Sequence, residues 1–219
     1  MPVDAYCERT GPDFWSEPVN ALTNVAFLIA AVLAYRHLLR QSTRPPTLVA
    51  LVVLLTAIGV GSFTFHTVAT RWAATLDTTP ILLFMLAYVV AFARHFMGAP
   101  WRWAWVAAPV FVVFSIGVNA LVDLGGYAPA LLGLLIMSGI AAFRRMYGYA
   151  RAYLGIAGLF AVSLTLRTID ESVCGWLPLG THFLWHVLNA TVLYLVIRVA
   201  ADRAANQVAG IGYPGRTRR

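Results

Sequence analysis

Seven apolar runs, parted by short polar or Pro- and Gly-bearing breaks, fill most of this chain. They cover Pro18–Leu39, Pro46–His66, Leu76–His95, Trp101–Asn119, Tyr127–Phe143, Ala152–Ile169 and His182–Ala200. Each is close to the roughly 17–25 residues that a helix needs to cross a hydrocarbon core. A helix is the predicted element because, in lipid, backbone N–H and C=O groups must be paired within the spanning structure itself. The breaks carry turn residues: Arg44-Pro45-Pro46, Met97–Pro100, and Gly125, Gly126 and Pro129. The pattern predicts an all-α, polytopic membrane protein, a seven-transmembrane-helix bundle over residues 18–201. An extramembrane segment, 1–17, precedes it. A Gly- and Arg-rich tail, 202–219, follows and is expected to be disordered.

Composition agrees with this pattern. The chain is 60% hydrophobic and 11% charged, whereas soluble domains carry about 25% charged residues. The net charge of +7 would suit a nucleic-acid partner, but its distribution does not. Every basic residue is Arg, and they sit at the ends of apolar runs rather than in one patch. With the N-terminus outside, thirteen of the 16 arginines fall inside; only Arg9, Arg71 and Arg167 fall outside. That bias predicts N-out, C-in and requires an odd number of spans. Asp4, Glu8, Asp13, Glu17, Asp77, Asp123, Asp170 and Glu171 fall at or near the outer face, and Asp202 alone falls inside. Met1–Trp15 is polar, without the basic and apolar regions of a cleaved signal peptide.

The chemistry gathers at the outer ends of three runs. Ser62 and His66 are four apart, on one helix face, at the end of the second; Asp77 opens the third; His182 and His186, again four apart, open the seventh. Two imidazoles at i and i+4 can grip one metal ion, and a third from another helix leaves a tetrahedral position for water. Taken singly these residues have plainer uses. A His at a helix end sits at the membrane interface, as His37 and His95 do beside inner arginines. Ser62 can serve helix packing, and Asp77 can cap a helix. Together they bring polar groups from three segments to one depth, and an ionisable group inside a span costs about 2.5–3.5 kcal/mol on insertion scales.

The motifs Gly59-Val60-Gly61-Ser62-Phe63-Thr64-Phe65-His66, Asp77 and His182-Phe183-Leu184-Trp185-His186 resemble those of the alkaline ceramidase family. So do Tyr6-Cys7-Glu8 and Glu17-Pro18-Val19-Asn20-Ala21-Leu22-Thr23-Asn24. That family belongs with a wider group of seven-helix membrane hydrolases that includes the adiponectin and progestin receptors. The resemblance implies a zinc-dependent amidase that cleaves ceramide-like lipids to a sphingoid-type base and a fatty acid. His66, His182 and His186 would be the zinc ligands. Asp77 would orient and deprotonate the zinc-bound water, and Ser62 would help to stabilise the oxyanion. The resemblance also implies a calcium site, with Asp4, Glu8, Glu17 and Asn20 as its ligands here. Ala5 and Thr10 stand where the family pattern has Asp and Asn. Glu17, Asn20 and Asn24 have an equally good use in N-capping and inter-helix hydrogen bonds. Cys7 and Cys174 both fall outside, where an oxidising compartment permits a disulfide, and the family pattern pairs cysteines at matching places.

Arg167, Asp170 and Glu171 read as a salt-bridged rim, or else as contacts to a substrate head group. Trp15, Trp72, Trp101, Trp103 and Trp176 read as interfacial anchors. The implied partners are a lipid amide substrate and membrane lipids, and the sequence points to no protein partner. A lipid-sensing receptor on the same scaffold is the competing function; Ser62 and Asp77 argue for turnover. A transporter would call for broken-helix repeats, which the sequence lacks.

Overall fold

The computed structural model describes residues 3–122 and 124–210. Asp123 and the tail arginines 216, 218 and 219 lie outside the described residues. Regular secondary structure is all helical among the described residues, and the chain runs back and forth through consecutive apolar helices. Six are long and apolar enough to cross a membrane: Pro18–Leu39, Pro46–Val68, Arg71–Met97, Trp101–Asn119, Tyr147–Thr168 and His182–Val208. Ala128–Phe143 is a shorter apolar helix of 16 residues, about 24 Å at 1.5 Å per residue. In chain order these are called the first to seventh helices below, Ala128–Phe143 being the fifth. The first is interrupted at Asn24, and the last turn of the third, Ala93–Met97, is a π-helix.

Three helices differ from the expected bounds by more than two residues, each for a local reason. The third begins at Arg71 rather than Leu76. Ala69 takes a left-handed conformation (φ 45°) and Thr70 is extended, so the link from the second helix is two residues long. Asp77 therefore lies in the helix's second turn and is not a cap. The sixth begins at Tyr147 rather than Ala152, directly after a left-handed turn at Arg145 (φ 59°). The seventh continues past Ala200 to Val208, taking in residues expected to be a disordered tail. Its added turns are held by side chains. Asp202 accepts from His37, Arg203 and Gln207 donate to the His95 carbonyl, and Asn206 donates to the Tyr149 hydroxyl.

The core lies between the first, second, third, fifth, sixth and seventh helices. Tyr153, Phe27, Phe96, Leu51 and Ile197 are among its fully buried side chains. At mid-depth the Tyr88 hydroxyl donates to the Val196 carbonyl at 2.9 Å and meets the Tyr153 hydroxyl at 2.9 Å. The outward faces are apolar too: Val53, Val60, Val113 and Ile116 are all exposed. An apolar exterior this extensive suits lipid rather than water. The fourth helix is the least enclosed and sits at the bundle's edge.

Candidate metal centre

The site lies at the bundle end that carries the N-terminal segment. His66 comes from the last turn of the second helix; His182 and His186 come from the first two turns of the seventh. All three are buried, and one ring nitrogen from each lies within 4.8 Å of the others. Their rings meet at centroid distances of 4.6–5.2 Å. His66 Nε2, His182 Nδ1 and His186 Nε2 are buried without a hydrogen-bond partner. Three orphaned imidazole nitrogens at one point would be costly in a plain core and are what a metal ion needs. This trio forms the sole such His, Cys, Asp or Glu cluster among the described residues.

In His66 and His186 the opposite ring nitrogen is fixed by a partner. Glu17 Oε2 lies 2.6 Å from His66 Nδ1. An ionised carboxylate can only accept, so Nδ1 carries the proton and Nε2 presents its lone pair. Thr23 Oγ1 donates to the Val19 carbonyl at 2.8 Å and so accepts from His186 Nδ1 at 2.9 Å, again freeing Nε2. Burial alone would raise the pKa of Glu17, but the hydrogen bond from His66, with the charge and hydrogen bond of Arg9, holds it below the usual carboxylate range. Neither Glu17 nor Thr23 was legible as a histidine partner in the sequence, because each contact spans 49 or more positions.

Asp77 and Ser62 line the same cavity as His182 and His186, a space of about 180 Å³ with polar and apolar walls. The Ser62 hydroxyl faces the Asp77 carboxyl. Gly61 makes this approach possible: a Cβ there would collide with the Leu76 carbonyl. Tyr6 closes the cavity from the N-terminal segment, its ring stacked on His182 at 3.7 Å between centroids. Burial raises the pKa of its phenol, which stays protonated. Arg167 lines the cavity too, its guanidinium 4.9 Å from the Tyr127 ring centre and 5.8 Å from that of Trp185. Ile81, Tyr127 and Asn189 are shared with a second, apolar cavity that continues among Phe84, Met85, Leu134 and Phe160.

The expected rim of Arg167, Asp170 and Glu171 is not salt-bridged among the described residues. Asp170 is buried and uses its carboxylate on backbone N–H groups: Thr181 at 2.6 Å, His182 at 2.8 Å and Cys7 at 3.0 Å. It thereby starts the seventh helix and ties it to the N-terminal segment. Gly180 (φ 62°) leaves room for that carboxylate. Beside it Cys7 and Cys174 form a disulfide, with Cα atoms 5.2 Å apart.

The expected calcium ligands do not converge. Asp4 is exposed. Glu8 spends both oxygens on the N–H groups of Val19 (2.6 Å) and Asn20 (2.7 Å), capping the first helix. Glu17 is held by His66, Arg9 and the Asn20 amide. These residues do not fit a calcium ion.

A search among curated proteins returned no match. A family model described as Ceramidase matches residues 6–207. That range runs from the tyrosine over the histidine cluster to the last turns of the seventh helix. The chain with this buried histidine trio belongs to the Ceramidase family.

Proposed function

We propose that this protein is a zinc-dependent amidase within the membrane, hydrolysing the N-acyl amide bond of ceramide-like lipids. The carrying observation is the set of three unpartnered, buried imidazole nitrogens, two of whose rings line with Asp77 and Ser62 a cavity that meets an apolar one. Zinc bound by His66, His182 and His186 would supply a Lewis acid and lower the pKa of a water to about 7. Asp77 is the proton carrier: its carboxylate takes a proton from water and delivers it to the departing amine nitrogen. Ser62 donates to the amide oxygen as negative charge gathers there. Water adds across the amide, the C–N bond breaks, and a fatty acid and an amine leave. The acyl chain occupies the apolar cavity, and the polar head group lies toward Tyr6 and Arg167.

Seven spans with the N-terminus outside would set this centre near the outer face. The arginine bias supports that orientation, and so does the disulfide, which needs an oxidising compartment. A lipid-sensing receptor needs no proton carrier beside its metal, so the Asp77–Ser62 pair favours hydrolysis. The test is metal analysis of the purified protein together with fatty acid release from ceramide, for wild type, His182→Ala and Asp77→Ala. One zinc per chain and turnover lost in both variants is the expected result. Wild type without metal would overturn the reading; metal without turnover of any lipid amide would leave the receptor.

A further inference from the structure

The oxygen atoms that would suit a hard cation do gather at the N-terminal segment, but around a side chain. Arg9 Nε donates to Glu17 Oε1, Nη1 to the Gly11 carbonyl at 2.9 Å, and Nη2 to the His66 carbonyl at 3.0 Å. Carboxylate and carbonyl oxygens are what calcium selects; here a guanidinium holds them. The Arg9 and Glu17 side chains are 4% and 2% exposed, so the pair is sealed from water. The alternative ligands are gone or in use: Ala5 and Thr10 offer no carboxylate or amide, and Glu8 is a helix cap. Asn20 Oδ1 and Asn24 Oδ1 are left without hydrogen bonds, and two amide oxygens without a free carboxylate do not make a calcium site.

We infer that Arg9 is a built-in cation that stands in for calcium, making the enzyme calcium-independent, and that it positions His66 through Glu17. Two properties of the side chain support this. Guanidinium stays charged at every physiological pH, and its planar fork fixes several acceptors at once. Arg9 holds the Glu17 carboxylate in place; Glu17 in turn fixes the His66 tautomer and ring. Arg9 also binds the His66 carbonyl, so one side chain grips both the ligand's partner and the ligand's own backbone. Where a soluble calcium ion would come and go with its concentration, this cation is covalently part of the chain.

The positioning half rests on the metal reading proposed above; the calcium half does not. The wild-type protein, purified with its zinc, is measured in calcium-free buffer and then with millimolar calcium, by thermal melting and by metal analysis. We expect no bound calcium and no shift in melting temperature. A calcium site at a hundredfold excess over its Kd would raise the melting temperature by about 5 °C or more, and either that shift or one calcium per chain overturns the inference. Arg9→Ala is expected to lose about 10–100-fold in zinc affinity, with recovery in low-millimolar guanidinium chloride but not in sodium chloride. Arg9→Lys, which keeps the charge but not the fork, serves if the alanine variant does not fold, and should fall between. Zinc affinity unchanged in these variants would sink the positioning role. Wild type that holds no zinc would sink the proposed function instead, leaving the calcium measurement to decide on Arg9.

Discussion

Each end of the bundle carries a histidine held by a carboxylate, and the two pairs have nearly equal lengths. His66 meets Glu17 at 2.6 Å; His37 meets Asp202 at 2.7 Å. Their surroundings differ. The first pair is 1% and 2% exposed, and the second 21% and 39%. His37 donates from Nε2 to Asp202, whose carboxylate also accepts from the Gln41 amide, and His37 belongs to no histidine cluster among the described residues. His66 gives Nδ1 to Glu17 and keeps Nε2 unpartnered, facing two more rings. The same chemical pair is thus a helix-end tie in one place and the anchor of one of three candidate metal-ligand histidines in the other. Burial and the fate of the second ring nitrogen separate them. Distance does not.

Mutations can break or sharpen that contrast. The largest effect belongs to the unpartnered nitrogens: His182→Ala should abolish metal binding and reduce fatty acid release by about a thousandfold or more, read by metal analysis and single-turnover assay. Asp77→Ala should lower kcat by about 10²–10⁴-fold while metal content stays intact. Glu17→Gln, at the buried pair, should weaken zinc about 10–100-fold and lower stability by about 3 kcal/mol, measurable by chelator competition and thermal melting. Opening the Cys7–Cys174 bridge with paired serines should cost about 2–4 kcal/mol, visible as a lower melting temperature insensitive to added reductant. The smallest change is expected from Asp202→Asn, at the exposed pair: about 1 kcal/mol or less, with zinc content and turnover as in wild type. If Glu17→Gln and Asp202→Asn behaved alike, burial would not be what distinguishes the two ends.

The helices were legible because lipid-crossing segments announce themselves as apolar runs near 20 residues long. The histidine trio was legible because four-residue spacing places His182 and His186 on one face, and His66 ends a run at matching depth. Their bounds were less so. Arg71 and Trp72 belong to the third helix because of a left-handed residue at Ala69, and the seventh outlasts its apolar run because polar side chains find partners on His37, His95 and Tyr149. The supporting residues were the hardest to read. Glu17 looks like a cation ligand in sequence, and in space it is; the cation is Arg9, eight residues away. Asp170 looks like a rim charge, but its acceptors' partners are main-chain N–H groups up to 163 positions distant. Such contacts leave no periodic trace.

The disulfide between Cys7 and Cys174, 167 positions apart, carries a consequence for biogenesis. Two of the three histidines lie after its second cysteine, and His186 is steadied by Thr23 in the first helix. The cage therefore cannot exist on a nascent chain. It is assembled only once the last helix has been synthesised and docked against the first. Any metal loading would then be the closing step of manufacture, and a chain cut short before the final helix lacks two of the three histidines.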